Sequence, residues 1–252
     1  MTQLPSCGVC GTAARPPFRA PPAEMAPDLD GRPGEPTRST LPQWIATCRR
    51  CGTSAPDLSK LPEGAGDAVR STAYQALRQP GPAMPFLRWA CICEALGRQA
   101  EAAEATLQAA WALDDMAGAG PPPGQAATAA NPAPIGTPEP DPAAADAAAL
   151  RRRALALWGP PHGAEDALRQ LDLLRRAGDF RAALACADAL DGAAGDENTA
   201  AILAFQRDRI AAGDTGRHMI SSALRPPARR PHVTHGTAAL APGGFWRRLL
   251  GG

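Results

Sequence analysis

The stretch Cys7-Gly8-Val9-Cys10-Gly11-Thr12 recurs in pattern as Cys48-Arg49-Arg50-Cys51-Gly52-Thr53. We call these stretches the first and second knuckle. Two residues between paired cysteines let both thiolates hold one ion from a tight turn, and a glycine after the second cysteine permits the positive φ that such a turn often needs. The repeated pattern predicts a single structural zinc ion bound by Cys7, Cys10, Cys48 and Cys51. A redox dithiol and an iron–sulfur cluster are the alternatives for the same thiols.

A zinc ion held by four thiolates has no open position for a catalytic water, which argues against a hydrolytic zinc. The chain also lacks a glycine-rich phosphate loop, a Gly-x-Ser-x-Gly elbow and a His-Glu-x-x-His motif. We therefore assign no catalytic and no cofactor-binding residue, and we predict that the protein is not an enzyme.

The seven cysteines favour metal binding in a reducing cytosol over a disulfide framework, because the total is odd and four of them lie in Cys-x-x-Cys pairs. The amino terminus has no signal-peptide pattern, and no run of eighteen apolar residues occurs. These features predict a cytoplasmic protein without a transmembrane segment.

Residues 1–60 are predicted to form a small zinc-ribbon-like domain with short β-strands. The segment between the knuckles, residues 11–47, is rich in proline and charge, and it is predicted to be an irregular loop that crosses the metal site. Its end, Leu41 to Thr47, is a candidate strand whose Trp44 is available to pack over the zinc core. Asp30, Arg32 and Arg38 mark this loop as a place to look for function.

Helical periodicity dominates the rest of the chain and predicts a mainly α fold. A first helical part covers 67–115, with Asp67 capping its first helix and further helices at about 83–96 and 99–114. A second helical part covers 143–212. It contains a helix ending near Trp158, a helical hairpin that turns at Ala177-Gly178-Asp179, and a last helix from about 197 to 212.

Two stretches rich in proline, alanine or arginine are predicted not to fold. The 28 prolines and 25 glycines concentrate in such stretches. Residues 116–142 are predicted to be a flexible linker, because they carry too little apolar surface to offset their ordering entropy. Residues 213–252 are predicted to be a disordered basic tail, since no acidic residue follows Asp214 and arginines occupy positions 217, 225, 229, 230, 247 and 248.

The hairpin resembles a tetratricopeptide repeat. In Gly178-Asp179-Phe180-Arg181-Ala182-Ala183-Leu184 a glycine closes the first helix, an aromatic residue follows, and Ala183 lets the helices approach. Residues 96–111 form a weaker copy. Two repeats are fewer than the roughly three that such arrays usually need, so a divergent helical bundle is the alternative. The chain as a whole resembles an uncharacterised bacterial family that joins a zinc ribbon to tetratricopeptide-like helices. The features that carry this resemblance are the helical part, the two knuckles, Asp30-Gly31-Arg32, Arg38 and Trp44. The linker insertion and the arginine before Cys51 depart from that family, and the resemblance implies architecture alone.

Other candidate residues have plainer interpretations beside functional ones. Arg49 and Arg50 are either solvated charges or phosphate contacts at the tip of the second knuckle. Buried free thiols are expected at Cys91, Cys93 and Cys186, and solvated tail histidines are expected at His218, His232 and His235. The apolar and basic end, 245–250, is either a loose terminus or a weak contact for a partner or an anionic membrane.

The leading functional hypothesis is a non-catalytic, zinc-binding adaptor whose helices bind a protein or peptide. A second hypothesis is a nucleic-acid-binding zinc ribbon that uses Arg49, Arg50 and the basic tail. A third is a thiol-based redox or zinc-release switch, which requires thiols of depressed pKa.

Overall fold

The computed structural model describes residues 5–118, 142–191 and 196–224, and it divides the chain into two compact units. Unit 1 comprises Met1–Arg19 and Leu41–Gly159, and unit 2 comprises Ala20–Thr40 and Pro160–Gly252. The predicted mainly α fold is confirmed, with short β-strands only near the amino terminus of the described chain. No described helix combines the length and the apolar character needed to cross a bilayer.

The elements of unit 1 begin with two short strands and continue as helices. After a 3-10 helix at Arg38–Gln43, strands β1 (Ala46–Thr47) and β2 (Ser54–Ala55) form an antiparallel ribbon, with Ala46 opposite Ala55 and Thr47 opposite Ser54. The candidate strand at 41–47 is thus confirmed only at its end. The helices are α1 (Ala65–Arg70), α2 (Thr72–Ala76), α3 (Met84–Ala95), α4 (Gln99–Gly118) and α5 (Pro142–Trp158).

The core of unit 1 lies where α4 packs between α3 and α5. Alanines dominate the buried faces of α4, so that the helices approach closely around the fully buried Leu107 and Trp111. Charged pairs join the helices at the edge of this core. Arg151 of α5 pairs with Asp114 of α4, and Arg153 pairs with Glu94 of α3.

The first predicted helix is in fact two. Helix α1 starts after Gly64 rather than at Asp67, and Ser71 interrupts the run in an extended conformation. The Ser71 hydroxyl accepts a hydrogen bond of 3.2 Å from the Tyr74 amide, which caps α2. Serine competes in this way with helix continuation, a local effect that the apolar periodicity does not register.

Unit 2 is built around three helices, α6 (Ala164–Arg176), α7 (Phe180–Leu190) and α8 (Glu197–Ala211), followed by the short α9 (Ile220–Ala223). The predicted hairpin is confirmed, with α6 packed on α7 and α8 in contact with both. Its apolar core joins Leu168 and Leu171 of α6, Ala183 and Ala187 of α7, and Leu203 of α8.

Residues 20–40 belong to unit 2, so the predicted domain limits 1–60 and 143–212 do not match the compact units. Much of this segment has no regular secondary structure, as predicted for the irregular loop 11–47, and it contacts α6. The Asp30 carbonyl accepts a hydrogen bond of 2.8 Å from Arg169 Nε, and the Asp30 carboxylate pairs with Arg176. The side chains of α6 therefore explain the grouping, because they provide the charges that Asp30 needs once it is buried.

The polar face of α6 is buried rather than solvated. Asp172 and Arg175 form an ion pair of 2.7 Å with both side chains inaccessible to solvent, and Arg175 also donates 2.8 Å to the Gly216 carbonyl. In the segment 20–40, Arg38 pairs with the buried Asp28 at 2.7 Å. Buried charges are tolerated when they are paired in this manner.

Gly31 is required where the segment meets α6. Its φ is +92°, a left-handed conformation that favours glycine. A Cβ at this position would lie 2.8 Å from Arg169 Nε, the atom that bonds the neighbouring Asp30 carbonyl. A side chain at position 31 is therefore opposed both by the backbone and by this hydrogen bond.

Two predicted flexible regions are partly ordered. Residues 116–118 belong to α4 and Pro142 opens α5, while the remainder of the linker, 119–141, lies outside the described residues. In the predicted tail, residues 213–224 are structured. Met219 pairs with Asp28 in an antiparallel bridge, and Ile220 donates a hydrogen bond of 2.9 Å to Pro27. The tail was mispredicted there because its backbone partners are distant in sequence; residues 225–252 lie outside the described part.

We predict that Asp30→Asn destabilises unit 2 by roughly 3–5 kcal/mol, because it removes a buried carboxylate that pairs with the buried Arg176. The matched control is Asp188→Asn, which removes an exposed carboxylate that pairs with Arg207. This change should cost roughly 0–1 kcal/mol. Urea unfolding followed by far-UV circular dichroism measures both, and hydrogen exchange of α6 peptides locates the effect. Equal costs for the two variants would contradict the assignment.

Candidate metal centre

The two knuckles have the same backbone structure. In the first, the Cys7 amide donates 2.8 Å to the Thr12 carbonyl and the Gly11 amide donates 2.8 Å to the Cys7 carbonyl. In the second, the corresponding bonds are 2.8 Å from Cys48 to Thr53 and 2.9 Å from Gly52 to Cys48. Gly11 and Gly52 have φ of 70° and 73°. The repeated sequence therefore produces a repeated turn, as the pattern predicts.

Each knuckle closes a short antiparallel pairing. Ser6 bridges to Ala13 across the first knuckle, and Thr47 pairs with Ser54 across the second, where β1 and β2 meet. These pairings bring the residue before the first cysteine opposite the residue after the threonine. The chain ends of each turn are thus fixed, so that both of its thiols point toward one side.

The four sulfur atoms converge. Cys7 Sγ lies 3.7 Å from Cys51 Sγ, and Cys10 Sγ lies 3.6 Å from Cys48 Sγ. All four sulfurs lie within 4.8 Å of one another. Sulfurs bound at about 2.3 Å to one tetrahedral zinc ion lie about 3.8 Å apart, so the observed arrangement fits such an ion. Among the described residues, this is the group of thiol, imidazole or carboxylate ligands able to hold a metal.

The thiols differ in their surroundings. Cys7 and Cys48 are buried, whereas Cys10 and Cys51 are partly accessible. The hydroxyl and amide of Thr12 lower the pKa of Cys10 to about 6, while burial raises the pKa of Cys51 to about 12 despite the hydroxyl of Thr53. A coordinated cation deprotonates its thiol ligands, so a bound metal removes this difference.

The second knuckle is braced by a tyrosine that the sequence analysis did not identify. Tyr74 of α2 is buried; its hydroxyl donates 2.9 Å to the Gly52 carbonyl and accepts 3.0 Å from the Ser54 amide. Burial also raises the pKa of Tyr74, so the hydroxyl keeps the proton it donates. Tyr74 is the single tyrosine of the sequence, and this is the one feature of the sequence that distinguishes it.

The other candidate residues lie where their plainer interpretations place them, with exceptions. Arg49 and Arg50 are exposed at the tip of the second knuckle. Cys93 is buried as predicted, whereas Cys91 and Cys186 are only half-buried. Desolvation raises the pKa of all three thiols. His218 is not a solvated tail residue: its Nε2 lies 2.8 Å from Asp214 Oδ2 and its ring packs on Phe205. His232, His235 and residues 245–250 lie outside the described residues.

Comparisons of the chain with protein-family models, with curated proteins and with solved structures find no match. The resemblance to a family of zinc ribbons joined to tetratricopeptide-like helices therefore stays a prediction. The geometry itself supports a metal centre, since four thiols converge from two matching turns.

We predict that the protein binds one Zn²⁺ per chain and that Cys48→Ser weakens this binding strongly, because one of four thiolate ligands is lost and water must complete the tetrahedral shell. Cys91→Ser is the matched control and should retain the metal. Metal content by mass spectrometry and the ligand-field bands of substituted Co²⁺ provide the readout. Full metal content in Cys48→Ser would contradict the assignment of this ligand.

Proposed function

We propose that the protein is a non-catalytic, zinc-binding adaptor in which zinc has a structural role and helices bind a protein or peptide. The observation that supports the structural role is the convergence of four cysteine sulfurs, since four thiolates fill the shell of zinc. The cysteines of the described chain are free thiols, which supports a reducing compartment such as the cytosol.

The outer face of α7 supports the adaptor role. Leu184 is 44% exposed, and the side chains of Arg181, Ala185 and Asp188 around it are exposed too. An apolar residue among small and charged neighbours matches the anatomy of a modest protein interface, which has an apolar centre and a polar rim. The packing of α8 on both α6 and α7 supports the tetratricopeptide-like arrangement that we propose for unit 2.

A nucleic-acid-binding zinc ribbon is the second candidate. The exposure of Arg49 and Arg50 on adjacent positions of the knuckle tip favours it, because guanidinium groups contact phosphates without sequence preference. Such binding weakens steeply with salt.

The test uses the full-length, zinc-loaded protein as bait in an extract of the native host. A fragment covering 67–212 is unsuitable, because it lacks Asp28 and Asp30, which unit 2 buries. We expect specific proteins to be captured by the wild type, lost with Leu184→Asp and retained with Met116→Asp. Met116 lies in unit 1 and is 53% exposed, so the two variants place a charge at comparably exposed apolar sites.

Two results would decide against the adaptor. Capture that disappears after nuclease treatment, and that falls in an Arg49→Gln, Arg50→Gln double variant, would favour the nucleic-acid alternative. Captured proteins that are identical for all baits, including Leu184→Asp, would remove the support drawn from α7.

A further inference from the structure

A cavity of about 310 Å³ lies beside the second knuckle in unit 1. Its wall includes Cys51 and Gly52 of the knuckle, Tyr74 and Gln75 of α2, Arg78 just beyond α2, and Arg88 of α3. Its volume is at the lower end of the range for small-molecule sites, which is roughly 300–1,000 Å³. No acidic side chain belongs to this lining.

The two arginines are oriented by the backbone. Arg88 Nε donates 2.8 Å to the Leu77 carbonyl, and Arg78 Nε donates 2.9 Å to the Gln75 carbonyl. Arg78 also donates to the Gln75 side chain. Neither guanidinium forms an ion pair with a carboxylate in the part of the chain that the structure describes, and Arg88 is half-buried. The lining of the cavity therefore contains two guanidinium groups and no carboxylate.

The remaining polar groups of the wall are occupied within the protein. The Tyr74 hydroxyl bonds Gly52 and Ser54, and Gln75 Nε2 donates 2.7 Å to the Val69 carbonyl. What remains for a ligand are the terminal N–H groups of Arg88 and those of Arg78 that are not bonded to Gln75, and these groups are donors only. A complementary ligand must supply acceptors and negative charge.

We propose that this cavity binds the phosphoryl group of a small phosphorylated molecule. The guanidinium fork matches phosphate oxygens in geometry as well as in charge. Arg88 is half-buried, which strengthens its attraction for an anion relative to open water, whereas Arg78 is exposed at the mouth of the cavity. The small volume favours a compact molecule over a polymer. The proposal does not depend on the adaptor function.

A simpler role for the same arginines is compensation of thiolate charge. Four thiolates and one divalent ion carry a net charge of −2, and Cys51 is part of the cavity wall. On that account, removal of Arg88 weakens metal binding and changes no phosphate affinity. The phosphate site requires the opposite, so the two roles are separated by measuring metal and phosphate on the same variants.

The experiment titrates inorganic phosphate, and separately adenosine monophosphate, into the full-length zinc-loaded protein at constant ionic strength. The arginine Nε–H signals in nitrogen-15 correlation spectra report the binding. We expect saturable shifts of the Arg78 and Arg88 signals. Arg88→Gln and Arg78→Gln should each weaken binding by roughly ten-fold to a hundred-fold, as expected for loss of a charge-assisted contact. Zinc content should stay at one per chain.

The control is Arg70→Gln, which removes an exposed arginine of α1 paired with Asp67 and should leave phosphate binding unchanged. Arg88→Lys keeps the charge but not the planar guanidinium, and it should bind phosphate with reduced affinity. The same variant replaces Arg88→Gln in the test if Arg88→Gln does not fold. The proposal is overturned by the absence of saturable shifts, by unchanged affinity in Arg88→Gln and Arg78→Gln, or by loss of zinc with phosphate binding intact. Binding of single-stranded oligonucleotides without binding of either small probe overturns it in favour of a nucleic-acid surface.

Discussion

The convergence of thiols from two distant knuckles constrains the whole chain. Cys10 and Cys48 are 38 residues apart, yet their sulfurs lie 3.6 Å from each other, so the chain between them is a closed loop. A cross-link over a loop of this length removes about 4 kcal/mol of closure entropy from the unfolded chain in the chain-entropy model. The central part of this loop, residues 20–40, belongs to unit 2. A metal bound by the four thiols would hold the two ends of this loop together.

Unit 2 depends on that segment because α6 is buried on its charged side as well as its apolar side. Arg169 and Arg176 contact Asp30, while Arg175 contacts Asp172 within the helix and the carbonyls of 214 and 216 beyond α8. Burying an unpaired charge costs a large desolvation free energy. The charged side of α6 can therefore be buried only because Asp30 and the carbonyls of residues 214 and 216 bind its arginines. The ionic contacts therefore specify which segments join, whereas the leucine core of the hairpin supplies the apolar burial.

This division explains what the sequence predicted well and what it missed. The knuckles, most helix limits and the hairpin follow from local spacing and periodicity, and the structure confirms them. The places of residues 20–40 and 213–224 were missed, since no local pattern links Asp30 to Arg176 or Asp28 to Met219. A polar helix face is usually solvated, and α6 violates that rule through charge pairing across 146 residues. The convergence of the four thiols was predictable because each knuckle encodes its own turn.

The two knuckles share a backbone but not an environment, and that asymmetry bears on function. The first knuckle carries Gly8 and Val9 between its ligands, and the Gly8 amide donates 2.8 Å to the Leu58 carbonyl. The second carries Arg49 and Arg50 at its tip, is braced by Tyr74, and borders the cavity of Arg78 and Arg88. A purely structural clamp needs no such difference, because identical turns supply equivalent thiolates. The cationic side chains thus lie at and beside the second knuckle, the side of the thiol cluster on which we propose that an anionic group binds.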